Sequence, residues 1–400
     1  MDDPALERAR DHCFMGGVDD SGMRICEANV PYGLAKIHHV QKQLGVEPDA
    51  TFVGSPDATI TRNNNRWKQG FGYGGVYRWS GDFTVLDIKP NACGMLVGEL
   101  PSIPELDDVR ERLHRFEQAG LELDGIPVES DLDESNHFVD VFEVAQDEST
   151  EQAPNNARYM YIMHSSGHEN RGASERGVGL YWDQSDELMA IARTFDTPWG
   201  KLRILEGDRA ADWYAFYKRV QDFNHRRREL LANYLFDGGQ PLINATHQGL
   251  VRGYNQANVG CYTFDDPSET LFPLTLSPVL PAFLVRGKSN VTEQTIERAG
   301  WSERIEKYDL ADKLSATNLL PHGGGYTYPR LRGVARTIQA GPDERTFELM
   351  PADPSEAAEI ITTPRELKYS YRGLEVKDRM EELELGKAVV KLDLKYVVTA

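Results

Sequence analysis

Cys93, His137, His164, His247 and His322 carry side chains that bind metals or attack phosphorus, and they are spread from residue 93 to residue 322 of a 400-residue chain. If they act together, the segments that bear them must meet in space. That requirement leaves no room for a domain boundary between them, and the reading is one large α+β domain over residues 1–400. The strongest compositional breaks are the Gly- and Asn-rich stretch from Arg62 to Gly75 and the acidic stretch from Ala340 to Ser355. Both are read as interruptions within that domain.

His322 opens the run His322-Gly323-Gly324-Gly325. Three glycines after an imidazole leave the backbone open to a phosphate while the ring stays exposed, the layout of a nucleotide-accepting histidine. Cys93 precedes Gly94-Met95, His137 follows Asn136, His164 precedes Ser165-Ser166-Gly167, and His247 precedes Gln248. These contexts suggest metal-assisted phosphoryl chemistry. Each residue alone has a plainer reading: Cys93 as a small buried hydrophobe, His137 and His247 as hydrogen-bonded core histidines, His322 as part of a Gly-rich turn. His38-His39 fits a partly exposed helix or strand equally well and is left out of the site.

Composition narrows the setting. With 40% hydrophobic and 10% aromatic residues the chain can build a large core. No apolar run approaches the roughly 20 residues of a membrane span, and Met1-Asp2-Asp3-Pro4 lacks the basic start of a signal peptide. Four scattered cysteines form no Cys-x-x-Cys pair, so neither a disulfide framework nor a zinc knuckle is indicated. The expectation is a cytoplasmic protein with reduced thiols and no membrane partner. A net charge of -19 argues against broad adhesion to nucleic acid. His225-Arg226-Arg227-Arg228 is the densest basic run, and a solvated helix face is its simplest interpretation.

Periodicity predicts a helix over 103–118, after the capping box Ser102-Ile103-Pro104-Glu105, and a long amphipathic helix over 209–236 with Trp213, Phe216, Val220, Phe223, Leu230 and Tyr234 on one stripe. Phe138–Val144 and Arg158–Met163 read as strands. Their antiparallel pairing would bring His137 and His164 to one edge of a sheet. Val390 to Val398 alternates as a C-terminal strand with one buried face.

The motifs Cys93-Gly94-Met95, Asn136-His137-Phe138, His164-Ser165 with Arg171-Gly172, Asn244-Ala245-Thr246-His247-Gln248, Phe283-Leu284-Val285-Arg286-Gly287 and His322-Gly323-Gly324-Gly325 follow one another collinearly over roughly residues 70 to 400. In that order they resemble the RtcB family of RNA-splicing ligases. The resemblance implies central antiparallel sheets flanked by helices, and a ligase that joins an RNA 3′-phosphate or 2′,3′-cyclic phosphate to a 5′-hydroxyl with GTP and Mn(2+). It casts His322 as the guanylylated nucleophile and Cys93 as a thiolate bridging two metals. His137 and His164 would complete one metal site and His247 the other. Asn136, Phe138, Asp140, Gln248, Ser277, Gly323, Gly324 and Gly325 would hold the guanylate, and Arg171 would contact phosphate. The partner implied is RNA with 3′-phosphate and 5′-hydroxyl ends, with any activating protein unspecified.

The chain departs from the family pattern at several positions. Pro90 stands where the family has a metal-binding Asp, with Asp87 near but out of register; Phe264-Asp265-Asp266-Pro267 replaces a basic loop; Tyr326 replaces an arginine and Thr399 a lysine that contacts the nucleotide. Two other function classes stay open. One is a metal-dependent phosphatase or phosphodiesterase in which Cys93, His137 and His164 activate water without GTP, favoured by Pro90 and Thr399. The other is a nucleotide- or RNA-binding paralogue without turnover.

Overall fold

A computed structural model describes residues 3–132, 136–146, 151–266, 270–315, 317–342 and 344–398. The architecture is α+β. Eleven strands form one central sheet; in chain order they are β1 (Cys13–Met15), β2 (Thr51–Thr59), β3 (Tyr73–Arg78), β4 (Cys93–Leu100), β5 (Phe138–Val144), β6 (Tyr159–Ser165), β7 (Gln240–Gly249), β8 (Gln256–Val259), β9 (Leu271–Leu274), β10 (Ala282–Gly287) and β11 (Gly386–Val398). Across the sheet the order is β1-β2-β3-β8-β7-β4-β6-β5-β11-β10-β9. Only β1 and β2 run parallel; every other neighbouring pair is antiparallel. Smaller sheets flank it, including a three-stranded one over Leu331–Gly341, Glu344–Pro351 and Glu359–Ile361. Among the described residues no helix is long and apolar enough to cross a membrane.

The centre of the sheet, β4 and β6, is made of residues buried on both faces, which explains runs such as Met95-Leu96-Val97 and Ile162-Met163 where strict alternation is absent. The C-terminal strand begins earlier than its alternation suggests, at Gly386, and bulges interrupt its pairing on both sides.

The long helix spans Asp208–Leu235, about 42 Å at 1.5 Å per residue. Its upper half packs Trp213, Phe216 and Val220 into one apolar cluster, and its lower half packs Phe223, Leu231 and Leu235 into a second. Leu230 and Tyr234 lie at the margin of that second cluster instead of on its buried stripe. The helix predicted from 103 starts at Leu106 with Glu105 as N-cap and makes no side-chain cap bond, so the capping box does not form. Apolar periodicity begins only at Leu106. Val109, Leu113 and Phe116 are its buried face, and each contributes about 1.5–3 kcal/mol of burial.

Candidate metal and nucleophile site

Four of the five dispersed residues meet because four adjacent strands end together. Phe138 of β5 lies opposite His164 of β6, so His137 and His164 share one end of the sheet, as the strand reading anticipates; the strands are central ones, however, not an edge. Their rings meet edge to face with centroids 5.0 Å apart. Cys93 begins β4 and pairs with Gln248 of β7, while Gly94 pairs with Thr246. His247 is the unpaired residue of that bulge, which turns its side chain toward the strand ends.

Cys93 Sγ lies 3.2 Å from His164 Nε2 and 3.6 Å from His137 Nε2. His164 Nε2 lies 3.2 Å from His247 Nε2. A tetrahedral ion with thiolate and imidazole bonds of about 2.3 and 2.0–2.1 Å separates its ligand atoms by roughly 3.3–3.6 Å. The Cys93, His164 and His247 atoms all fall within 4.8 Å of one another, and the three residues are buried. Proton bookkeeping supports a cation as well. His164 Nδ1 donates to Asn136 O (2.9 Å) and His137 Nδ1 donates to Asp131 Oδ2 (2.9 Å). His164 Nε2 therefore turns a lone pair to the Cys93 sulfur, and His137 Nε2 faces the same sulfur. The grouping differs from the expected partition, because His164 sits with His247 and Cys93 in one buried triad, with His137 Nε2 3.6 Å from the same sulfur.

Burial pushes the Cys93 thiol up, but His164 and His247 beside it, with the His137 bond, outweigh burial and hold it well below the ordinary thiol range. Burial alone would lower His137; the Asp131 bond and Cys93 raise it to about 10. His247, without a carboxylate, is pushed down to about 3 by burial.

A second carboxylate braces the nucleophile candidate. Asp57 Oδ2 accepts from His322 Nδ1 at 2.7 Å and from the backbone N–H groups of His322 and Gly323, each at 3.2 Å. Its other oxygen accepts from Ser55 Oγ. His322 Nε2 is thus the lone-pair nitrogen. The ring lies 4.5 Å from His247 and 6.4 Å from His164 between centroids. Two expectations about this run need correcting. His322 is buried, not exposed, at 5%. The glycines are also demanded by packing: Gly325 has φ +65°, and a Cβ there would stand 2.4 Å from the Asp57 carbonyl oxygen, while one at Gly324 would stand 2.7 Å from the Leu276 and Arg372 carbonyls.

Arg227 and Arg228 overturn the reading of their run as a solvated helix face. Both are buried, at 1% and 0%. Arg227 Nη1 donates to Asp131 Oδ1 (3.2 Å) and Ser165 Oγ (2.6 Å), and its Nε donates to Glu169 (2.9 Å). Arg228 donates to Asn244 Oδ1 (2.8 Å) and to the Ser165 carbonyl (3.2 Å), and burial pushes it down to about 10. The helix thus delivers two guanidiniums beneath the strand ends. Asp131 also accepts from Ser165 Oγ (2.7 Å) and Ser166 N (2.8 Å). Asp131, His137 and His168 lie close enough to hold an ion, but the Asp131 oxygens already serve these donors, so we read Asp131 as the brace of His137.

Every other residue assigned from the sequence lines one cavity of about 750 Å³ together with Cys93, His137, His164 and His322: Asn136, Phe138, Asp140, Arg171, Gln248, Ser277 and Gly323–Gly325. His247 lies beneath it. The volume is that of a small-molecule site. Asp140 is buried, its Oδ1 has no hydrogen-bond partner among the described residues, and burial raises it to about 7. Lys89, over the Tyr181 ring and paired with Asp183 at 2.6 Å, lines the same wall as Arg171. Pro90 is buried, and Asp87 offers no substitute ligand because it is bound to Arg203 through the backbone N–H (2.7 Å) and the guanidinium (2.9 Å). Tyr326 lines the cavity, Asp265 pairs with Arg252, and Pro267 and Thr399 lie outside the described residues.

Asp57, Asp131, Lys89, Arg227 and Arg228 are the site residues that sequence reasoning missed. For Arg227 a signal exists: Phe216, Val220, Phe223 and Arg227 follow at spacings of four, three and four, so the buried stripe runs straight through it. Asp57 and Asp131 carry none. Neither a scan of protein-family models nor a search of curated proteins returns a match to this chain.

Proposed function

We propose that the chain is a GTP-dependent RNA ligase of the kind its motif order resembles, joining an RNA 3′-phosphate, or a 2′,3′-cyclic phosphate once opened by water, to a 5′-hydroxyl. The observation that carries this reading is the 2.7 Å bond from His322 Nδ1 to Asp57, which leaves Nε2 as the lone-pair nitrogen of a ring lining the cavity. Nε2 attacks the α-phosphorus of GTP; a P–N bond forms, the bond to the bridging oxygen breaks and pyrophosphate leaves. Asp57 holds the ring and offsets the positive charge that develops on it. The guanylate passes to an oxygen of the RNA 3′-phosphate, and the 5′-hydroxyl then attacks that phosphorus with loss of GMP.

Asp140 suits the paired N–H groups on the Watson–Crick edge of guanine, which adenine lacks. Arg171 and Lys89, which line the same cavity, supply cationic charge to phosphate. Cys93, His164 and His247 would hold a divalent cation, with Mn(2+) the metal expected, and such an ion supplies charge neutralisation for the reacting phosphates. One observation favours the hydrolytic alternative: with Pro90 and the tied-up Asp87, Cys93, His164 and His247 form a three-ligand set, and catalytic metal sites commonly hold three protein ligands with an open position for water.

The decisive experiment incubates purified protein with manganese and α-labelled GTP. The expected result is acid-labile, alkali-stable label on the wild type and none on His322→Ala. An intact, metal-loaded protein that takes no label overturns the ligase reading, and release of phosphate from a 3′-phosphorylated oligonucleotide by that unlabelled protein selects the hydrolytic one.

A further inference from the structure

Immediately after the glycine run the chain forms an aromatic cluster at the cavity. Tyr326 pairs with Tyr371 across a short antiparallel ladder, Tyr326–Thr327 with Ser370–Tyr371. The Tyr326 ring lies 4.6 Å from Tyr369 and 5.4 Å from Tyr371 between centroids, and Tyr369 lies 5.7 Å from Tyr371. Arg62 sits over the Tyr369 ring at 4.5 Å. Arg62 and Arg365 bond each other's backbone carbonyls, at 3.4 and 3.5 Å. Arg62, Arg365, Tyr326 and Tyr371 all line the cavity that holds His322.

Two features set this corner apart. In a chain of net charge -19, neither Arg62 nor Arg365 forms an ion pair among the described residues. Tyr371 keeps 37% of its surface exposed, the one Phe, Trp or Tyr side chain among the described residues that is exposed rather than buried or half-buried. An exposed aromatic face beside two guanidiniums without carboxylates is the combination that binds single-stranded nucleic acid: the ring takes a base and the cations take the backbone.

We infer that Tyr371, with Arg62 and Arg365, forms a stacking subsite for a base near the end of a single-stranded polynucleotide whose terminal phosphate enters the cavity toward His322. The inference rests on the ligase reading for the direction of the strand and adds the group that holds it. It also gives Tyr326 a role: in place of a further cation, the ring packs beneath Tyr371 and sets the platform.

The test is a binding titration by fluorescence anisotropy, at fixed salt, of the full chain with a 5′-labelled oligoribonucleotide bearing a 3′-phosphate. A second probe of the same length is abasic at its last two nucleotides. Tyr371→Ala should weaken binding of the first probe by about 5- to 150-fold, the factor one base–aromatic stack contributes, while Tyr371→Phe retains it. The abasic probe should lose a similar factor on the wild type and lose little more on Tyr371→Ala, and melting curves establish that each variant is folded. Arg62→Ala should flatten the salt dependence of binding. Equal binding of the two probes by the wild type overturns the subsite, as does full affinity in folded Tyr371→Ala or failure of the wild type to bind either probe. Guanylylation of the wild type is read separately. Base-dependent binding without label keeps the subsite and discards the ligase; label with base-independent binding does the reverse.

Discussion

Two histidines in this molecule lean on carboxylates, and the carboxylates are used differently. Asp131 braces His137 from within a cage of Ser165, Ser166 and Arg227, so its oxygens are occupied by side-chain and backbone donors beside the Cys93–His164–His247 cluster. Asp57 braces His322 and at the same time accepts the N–H groups of His322 and Gly323, so it builds the loop as well as orienting the ring. Under the proposed function the first tunes a metal-ligand arm and the second scaffolds a nucleophile. The contrast shows that one side-chain pairing can serve two ends, decided by what else the carboxylate touches.

The largest effect should follow from breaking the nucleophile's brace. Asp57→Asn removes the charge opposite the developing imidazolium and can present an N–H to Nδ1 in place of an acceptor, so GTP-dependent labelling should fall by about 10²–10⁴. A labelling rate within threefold of wild type would mean that Asp57 serves the loop only.

Breaking the ligand cage should be felt first as instability. Arg227→Ala strips the buried Asp131 and the half-buried Glu169 of a cation and should cost about 3–5 kcal/mol in denaturant unfolding. Asp131→Asn is milder, because the amide oxygen can still accept from Arg227 and Ser165 while its NH2 replaces the acceptor that faces His137 and Ser166 N. It should weaken divalent metal binding by about 10- to 100-fold, measured by competition with a chelator, with the unfolding midpoint changed far less. Unchanged metal affinity would separate His137 from the metal.

A third kind of histidine sharpens the comparison. His12 and His38 both bond the Ala50 carbonyl, at 3.0 and 2.8 Å, with no carboxylate on either ring. Burial pushes them down to about 4 and about 3. The unfolded chain titrates near 6.5, so below that pH it takes up protons that the folded chain refuses. Stability contributed by the pair is complete above about pH 6.5 and is lost as pH falls toward 4. Between pH 7 and 6 the loss should be about 1 kcal/mol, read from melting curves in buffers of equal ionic strength; a flat profile would contradict it.

Much of this was legible in the chain. The strands at 138–144 and 158–163 (the second runs on to Ser165), the long helix and the convergence of Cys93, His137, His164, His247 and His322 follow from hydrophobic period and from residue types that seldom gather without a purpose. Helix ends were less legible, as the unformed capping box at Ser102 shows. The basic run at His225–Arg228 was misread, because a charge run is usually solvated and only partners distant in sequence can bury it. Asp57 and Asp131 left no trace: a single carboxylate in a strand or loop looks like any other until its neighbours are known.

The sequence by itself determined which chemical groups were available and that they must share one fold, since side-chain chemistry and periodicity are local properties. Tertiary structure alone decided how they were grouped. The bulge at His247 put that ring with His164, and β2 carried Asp57 to His322 from 265 residues away. Strand order and register, set by cooperative burial across the whole sheet, placed one histidine on Asp57 and gathered the others around Cys93.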